Sequence, residues 1–557
     1  MSQNPPSPSS ESTSALAAID ALLAPFNRSD APGLVVGIAH HGKHVYRRAV
    51  GMASLEQGVA NTPSTRMRIA STSKQFTAFA VLLLAEDGLV ALDDLAQKHL
   101  PELPQLSANG PTLRHLLNHT SGWRGHDEVW ALAHGLTFHA PGPGLPAMAR
   151  QSELNFEPGT QMIYSNGGYH LLAKIVERVS GLDFNSFLKT RIFEPLGMHS
   201  TESVATDLDV RPGLAGLYMP ALGGGWQRGL YPCELDGGGS LISTLDDMLR
   251  WQAQLRSSHK TVGRAESWAL LMAPTSLSSG STVPYGFGLA RHPYRGVEII
   301  HHAGAVLGAS SQMLSVPEHA LDIIIMANGA AVSPAALACK LVDLLLAEQL
   351  PEPHESRPQA SAYAALPGQR YHAASSGCVI SFADIEGKLA MSWQSSSALV
   401  MHQDQGRLWL GLQDLPTNDL ELDASEVAGT QPPESFTLRE GGQPQHFRRL
   451  AETPPDAATL APLLSGNYQS PDLDASVSVA LTCGQLLLTV LGRYGHQVGV
   501  LQPWSEDVFV LTSTDALLAK LGSSVVNVER HAGKVTGLRL ATLRTRAIHL
   551  IRQETQV

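Results

Sequence analysis

A proline-punctuated stretch, Leu350-Pro-Glu-Pro-His-Glu-Ser-Arg-Pro-Gln359, divides this 557-residue chain into two unlike textures. Proline fixes φ and removes a backbone donor, so such a run neither extends a helix nor sits inside a sheet. It reads as a stiff, solvated linker. Before it, helix and strand periodicities alternate. After it come short strands with regular turns and almost no helical pattern. The chain must therefore build a mixed α/β unit first and all-β units afterwards, within the three or four domains that its length suggests.

The segment 13–350 carries strand signals at both ends and helices between them. Ala15–Phe26 reads as a helix, and Leu34–Ala39 and His44–Gly51 read as two strands turned by His41-Gly42. Several helical stretches follow, each closed by a glycine. Val297–Ala303, Ala309–Val316 and Leu321–Asn328 then form a meander, and Ser333–Gln349 a last amphipathic helix. This order predicts one sheet that pairs N-terminal with C-terminal strands. Behind the linker (351–361), a second break at Thr453-Pro-Pro-Asp456 separates 362–452 from 456–557. Tyr371 and Tyr468 stand at the same spacing as Gly387 and Gly484, and the segments end alike in His446-Phe-Arg-Arg-Leu and His549-Leu-Ile-Arg. Duplication of a module of about eight short strands, closed as a barrel to hide its edges, accounts for this. Chance likeness of two β-rich segments is the other reading.

Composition narrows the function classes. The net charge of −11 disfavours nucleic acid and anionic membrane, whose binding relies on Lys and Arg. At 43% apolar and 16% charged, the chain has ample material for buried cores. No run of 18 apolar residues exists to span a bilayer. Cys233, Cys339, Cys378 and Cys483 lie far apart and read as reduced core residues. Met1–Ser14 lacks the cationic and apolar regions of a signal peptide, so the expected location is cytoplasmic.

Ser71-Thr72-Ser73-Lys74 opens a helix with Phe76, Phe79, Ala80, Leu83 and Leu84 on one face. Lys74 lies one turn beyond Ser71, on the same side. A serine hydroxyl becomes a nucleophile only when a base takes its proton, and a lysine can do so only when uncharged. Burial and the positive end of a helix both favour the neutral amine. The Ser71 N–H can also face a developing oxyanion. The same four-residue pattern occurs at Ser186/Lys189 and Ser257/Lys260, but those copies fall in a surface helix and a polar loop.

Tyr164-Ser165-Asn166 precedes a helix patterned by Tyr169, Leu172, Ile175, Val176 and Val179. A tyrosine near a lysine can shuttle protons, and an asparagine amide can hold a substrate amide. A turn-capping tyrosine beside a left-handed asparagine is the structural alternative. His302-Ala303-Gly304 ends a strand, where a small residue lets substrate approach the backbone and the Ala305 N–H can serve as a second oxyanion donor. H-x-G recurs at His40 and His531, so its weight comes from that placement.

Taken in order, Ser71-x-x-Lys74, Tyr164-x-Asn166 and His302-x-Gly304 resemble the penicillin-recognising serine hydrolases, which include class C β-lactamases, D,D-peptidases, β-lactamase-like esterases and D-aminopeptidases. Supporting text lies at Arg68–Thr77, Leu113–Gly122, Phe156–Thr160, Gly238–Met248 and Tyr285–Leu289. The two β modules resemble the three-domain D-aminopeptidase arrangement. The resemblance implies a class C β-lactamase-like catalytic domain, an antiparallel sheet flanked by helices, followed by two small antiparallel β-barrels. It implies catalytic roles for Ser71, Lys74, Tyr164 and His302, and substrate binding by Asn166, Gly304 and Ala305. The substrate is a small peptide, amide or ester, with release of an N-terminal D-amino acid through an acyl-enzyme. His302 stands where β-lactamases usually place a lysine, which weakens selection for a carboxylate. β-Lactams are the expected inhibitors and a homodimer the implied assembly. No cofactor or metal is expected, because neither H-E-x-x-H nor a Cys/His ligand cluster is legible. G-x-S-x-G is absent too. A family esterase, a weak β-lactamase or D,D-peptidase, and a penicillin-binding sensor without turnover are the competing readings.

In D-aminopeptidases a loop of the last barrel is expected to reach the active site and meet the substrate ammonium. Here that loop is Leu511–Ser524, whose one acid is Asp515. Asp515 as the amine partner and Asp515 as a solvated loop-tip acid are both open.

Overall fold

In a computed structural model of the chain, residues 10–137, 142–329, 331–352, 356–411 and 420–554 are described. The first nine residues of the N-terminal stretch and linker residues 353–355 lie outside them. The α/β unit is organised by a six-stranded antiparallel sheet in the order Ala290–Tyr294, Val297–Val306, Ala309–Val316, Leu321–Ala327, Leu34–His40, Lys43–Val50. N- and C-terminal strands pair as the pattern predicts, with Leu34 opposite Ala327 and His40 opposite Leu321. His41 and Gly42, at φ 50° and 76°, make the tight turn that a two-residue hairpin demands. The edge strand Lys43–Val50 is largely exposed and carries Lys43, Arg47 and Arg48, charges that discourage edge-to-edge pairing.

Side chains alternate across this sheet. Leu34, Val36 and Ile38 join Ile323 and Ile325 in a core closed by Ile19 and Leu23 of helix Ser10–Leu23 and by Leu337 and Leu341 of helix Pro334–Leu345. That last helix is shorter than its periodicity suggests, ending at Leu345. On the other face, Val35, Met313, Ile324 and Met326 meet the larger core built around helices Lys74–Glu86, Asn166–Ser180 and Leu245–Arg256. Lys74–Leu84 is buried on every side, which explains why this helix is apolar all round.

Both β segments have one topology. Eight strands, from Gly466–Ser470 to Ile548–Arg552, close a barrel in sequential order. The preceding sheet follows the same path, except that its fourth strand is broken at Met401 into Leu399–Val400 and His402–Asp404. Tyr371 faces Ile380 and Arg449, while Tyr468 faces Val477 and Arg552, so equivalent residues hold equivalent registers. Correspondence of strand order and register favours duplication over chance. Short helices at Ala424–Val427, Ala457–Leu464 and Ala516–Leu521 add to the strands that were expected. Part of the expected linker is tied to the first β unit, Ser356 bridging to Gln403 and Gln359 to Lys388, while both residues stay exposed.

No disulfide joins the four cysteines. Cys233 and Cys378 are buried, but Cys483 is exposed in a hairpin turn at φ 50°, which corrects its assignment to a core. Among the described residues, no helix is long and apolar enough to cross a membrane.

Candidate active site

Ser71 sits in a 3-10 turn, Ala70–Ser73, that feeds the helix beginning at Lys74. The expectation of a single helix opening at Ser71 is refined accordingly. Ala70, fully buried, is held at φ 46°, a conformation that costs a side-chain-bearing residue about 1–2 kcal/mol. Strain of this kind next to a reactive residue is typical of functional sites.

Lys74 lies one turn on and is fully buried. Its Nζ is 3.2 Å from Ser71 Oγ and 2.8 Å from Asn166 Oδ1, and also meets the Gly238 carbonyl. Burial drives its pKa well below the usual lysine range, helped by the Arg544 charge and opposed by Asp127. A neutral amine has two N–H donors and one lone pair. The carbonyl oxygens of Asn166 and Gly238 accept the two donors, which leaves the lone pair for the Ser71 proton.

Tyr164 Oη is buried without a hydrogen-bond partner among the described residues. Lys74 Nζ stands 4.8 Å from its ring centre and the Arg544 guanidinium carbon 4.7 Å. Burial raises the Tyr164 pKa, while the Arg544 charge and the Ser71 hydroxyl pull against that rise. Asn166 begins the helix Asn166–Ser180, with Ser165 capping it through Gly168 N–H. Asn166 Nδ2 donates to Asp127 Oδ2 at 2.7 Å, so its amide spans Lys74 and Asp127. One Nδ2 hydrogen stays available to a substrate.

His302, expected to be catalytic, stands with its ring 6.1 Å from that of Tyr164. It is buried and both its nitrogens are occupied: Nδ1 donates to the Ala303 carbonyl at 2.6 Å, and Nε2 accepts from Tyr285 Oη at 3.0 Å. The relay continues with His119 Nε2 donating to Tyr285 Oη at 3.2 Å and the Ser165 N–H donating to His119 Nδ1 at 3.1 Å. Burial is the main cause that pushes the His302 pKa down to about 3. With no nitrogen left over, this imidazole braces the wall behind Tyr164.

Gly304 is small for a different reason from the one expected. A Cβ there would lie 2.2 Å from the Ile69 carbonyl oxygen, 2.6 Å from Ser311 Oγ and 3.0 Å from Ser71 N. The glycine lets strand Val297–Val306 press against the turn that carries Ser71. Ala303, Gly304 and Ala305 line a cleft shared with Ser71, Asp127, Tyr164 and Asn166.

The second barrel closes this cleft with two loops. Leu518, Gly522, Ser523 and Ser524 line it, so the Leu511–Ser524 connection does reach the site. Its acid does not. Asp515 is exposed and spends Oδ1 on the backbone N–H groups of Leu517 and Leu518, capping helix Ala516–Leu521. The acids that line the cleft are Asp127 and Glu128, both from the helix His126–His134, and Glu128 accepts from the Thr542 hydroxyl, which leaves Asp127 nearer Ser71 and Asn166. Asp127 Oδ2 accepts from Asn166 and from Tyr231 Oη at 3.0 Å, while its buried Oδ1 has no hydrogen-bond partner among the described residues. Burial pushes the Asp127 carboxyl up, but the neighbouring imidazole of His126, the two hydrogen bonds and Arg544 outweigh it, and the net shift is down.

Arg544 enters from the loop between the last two strands. Asn155 Nδ2 donates to the Arg544 carbonyl at 2.7 Å, and Asn155 Oδ1 accepts the Arg546 N–H at 2.8 Å. Nearby, fully buried Arg124 pairs with Asp472 Oδ2 at 2.7 Å and donates to the Arg546 carbonyl at 2.9 Å. Arg546 in turn pairs with Glu440 of the first β unit. All three units thus hold one loop in place over Ser71. Sequence reasoning missed Asp127, Tyr231 and Arg544, which belong to no local motif. It also read no ligand cluster, whereas the fold brings His126, His170 and Glu234 together.

Residues 19–348 match the family described as Beta-lactamase. A D-aminopeptidase of Gluconobacter oxydans (strain 621H) is 28% identical over 543 residues, 94% of this chain and 96% of that protein. Among solved structures, the octameric penicillin-binding protein homologue from Pyrococcus abyssi superposes with a TM-score of 0.54 at 19% identity, covering 87% of this chain and 99% of that one. The D-amino acid amidase from Ochrobactrum anthropi SV3, complexed with L-phenylalanine amide, gives a TM-score of 0.51 at 22% identity over 60% of this chain and 99% of its own. The fold is accordingly β-lactamase-like, with two closed or nearly closed β-barrel sheets behind it.

Proposed function

Because the chain belongs to the Beta-lactamase family, we propose that it is an acyl-enzyme serine hydrolase that releases N-terminal D-amino acids from peptides, amides or esters. The observation that carries this reading is the Lys74 amine, with both donors placed on carbonyl oxygens and its lone pair left for the Ser71 hydroxyl. Ser71 Oγ attacks the substrate carbonyl as its proton passes to Lys74. Ser71 N–H and Ala305 N–H receive the oxyanion. Lys74 and Tyr164 return the proton to the departing amine, and water then releases the acid from Ser71.

Asp127 Oδ1, ionised and unpartnered at the cleft, takes the substrate ammonium in place of Asp515. The full-length likeness to a D-aminopeptidase supports the D preference. Arg544, which has no acidic partner among the described residues, favours β-lactams as acylating inhibitors through their carboxylate. Division into domains 13–350, 362–452 and 456–557 is supported by sheets that each draw their strands from one segment. A cytoplasmic site of action, consistent with cysteines that form no disulfide, and a homodimer belong to the same proposal.

The test is turnover of D- and L-alanine p-nitroanilide, p-nitrophenyl butyrate and nitrocefin by the native protein and Ser71→Ala, with mass spectrometry of the trapped adduct. Hydrolysis of the D-anilide through a Ser71 adduct is expected. Residual turnover in Ser71→Ala, or preference for the L-anilide, overturns the assignment.

A further inference from the structure

Beside Asp127, at a small pocket that His126 and Glu234 line together with Ser71 and Asn166, three ligand-type side chains converge from distant parts of the sequence. His126, His170 and Glu234 are all buried, and one ligand atom from each lies within 4.8 Å of the others. The two imidazole centres are 4.4 Å apart. His170 Nε2 stands 3.4 Å from Glu234 Oε1, unaligned for a hydrogen bond, and neither His170 nitrogen has a hydrogen-bond partner among the described residues. His126 Nε2 meets the Glu234 carbonyl at 3.1 Å, and its buried Nδ1 has no hydrogen-bond partner among the described residues. Buried polar atoms are nearly always satisfied, so three orphaned imidazole nitrogens in one place call for a partner.

The surroundings are those of a ligand set. Glu234 is oriented by N–H donors from Gly142 at 2.6 Å and Gly144 at 2.8 Å, leaving carboxylate lone pairs toward the histidines. A Cβ on Gly144 would stand 2.1 Å from Glu234 Oε1 and 2.6 Å from His170 Nε2, so only glycine keeps this space open. Two ligands about 2.1 Å from a tetrahedral zinc ion are about 3.4 Å apart, the spacing already present between His170 and Glu234.

We infer that His126, His170 and Glu234 form a binding site for a divalent transition metal of the zinc class, with a fourth position for water. Two imidazoles and a carboxylate suit that ion better than calcium or magnesium, which prefer all-oxygen shells. The ion ties helix His126–His134 to helix Asn166–Ser180 and to the segment around Glu234. Asp127 adjoins one ligand, and Asn166 lies a turn before another. Occupancy therefore steadies the pair that faces substrate, an extension that rests on the hydrolase reading above.

The experiment strips the full-length protein with a chelator and titrates Zn²⁺ alone, comparing native protein with Glu234→Gln, His170→Ala and Gly144→Ala. Glu234→Gln preserves shape, and Gly144→Ala keeps all three ligands while filling the space. Expected are one tight zinc per chain, imidazole scattering at about 2.0–2.1 Å in X-ray absorption, a higher melting temperature, and affinity at least about tenfold weaker in each variant. Equal zinc retention by native protein and by the folded variants, as adventitious binding to surface histidines would give, overturns the site. So does a water in this position in the zinc-soaked crystal. Ser71 acylation is measured separately: acylation without zinc binding sinks only this inference, and zinc binding without acylation sinks only the hydrolase assignment.

Discussion

Gly304→Ala is a one-carbon change whose effect follows from three distances. The new Cβ would fall 2.2 Å from the Ile69 carbonyl oxygen, whereas real Cβ atoms essentially never approach below 3.0 Å. Ile69 already accepts a hydrogen bond from Ser311 Oγ at 2.7 Å, and Ser311 is also in the way of the methyl. Strand and turn must separate by most of an ångström, and the turn carries Ser71. Overpacking of this kind costs about 1–3 kcal/mol. A displacement near 1 Å in a reacting group costs about a hundredfold in rate. The expected result is a kcat on D-alanine p-nitroanilide lower by about two orders of magnitude, KM within a few-fold, and a melting temperature lower by several degrees. Stopped-flow acylation with calorimetry of the same sample measures both. A destabilised enzyme that acylates at the native rate would show that the strand does not set the position of Ser71, and the structural reason given for Gly304 would be wrong.

Asp127→Asn should raise KM for D-alanine p-nitroanilide by about tenfold or more, as expected for a lost charge-assisted hydrogen bond, while p-nitrophenyl butyrate hydrolysis changes little; equal losses on both would refute ammonium recognition. Arg544→Gln removes a positive charge that lowers the Lys74 pKa, so the acidic limb of the kcat/KM profile should move to higher pH; an unmoved limb would assign it to another group. Since folding holds His302 near 3 against 6.5 in the unfolded chain, stability should be full above pH 6.5 and fall as pH drops toward 3. His302→Gln should flatten that part of the stability profile in urea titrations. Arg124→Met leaves Asp472 buried without its cation and should cost about 3–5 kcal/mol in chemical denaturation, most of it at the junction with the second barrel.

The motif residues were legible because their chemistry is local. Ser71 and Lys74 share one turn, and Tyr164 and Asn166 flank one helix start, so spacing alone places each pair. The sheet was legible because Leu34–His40 and Leu321–Ala327 are buried on both faces and therefore read as continuous apolar runs. Asp127 and Arg544 were not legible, since their meaning arises only when residues hundreds of positions apart are docked. Asp515 stayed open between two readings for the same reason: the direction of an acid in that loop is set by a cap, and no composition argument reports that. His302 shows a further limit. Its place after a strand is legible, but the hydrogen-bond chain through Tyr285 and His119 that engages its nitrogens is a property of packing. His126, His170 and Glu234 escaped because no short spacing links them.

The loop that brings Arg544 over Ser71 also orders events in time. A ribosome delivers the α/β unit hundreds of residues before Thr542–Ala547, and domains tend to fold as they emerge. Nucleophile and amine can therefore meet early, while the cation and the roof of the cleft arrive only with the final barrel. A half-made chain would hold Ser71 and Lys74 in a cleft still open where Arg544 and the last barrel later stand.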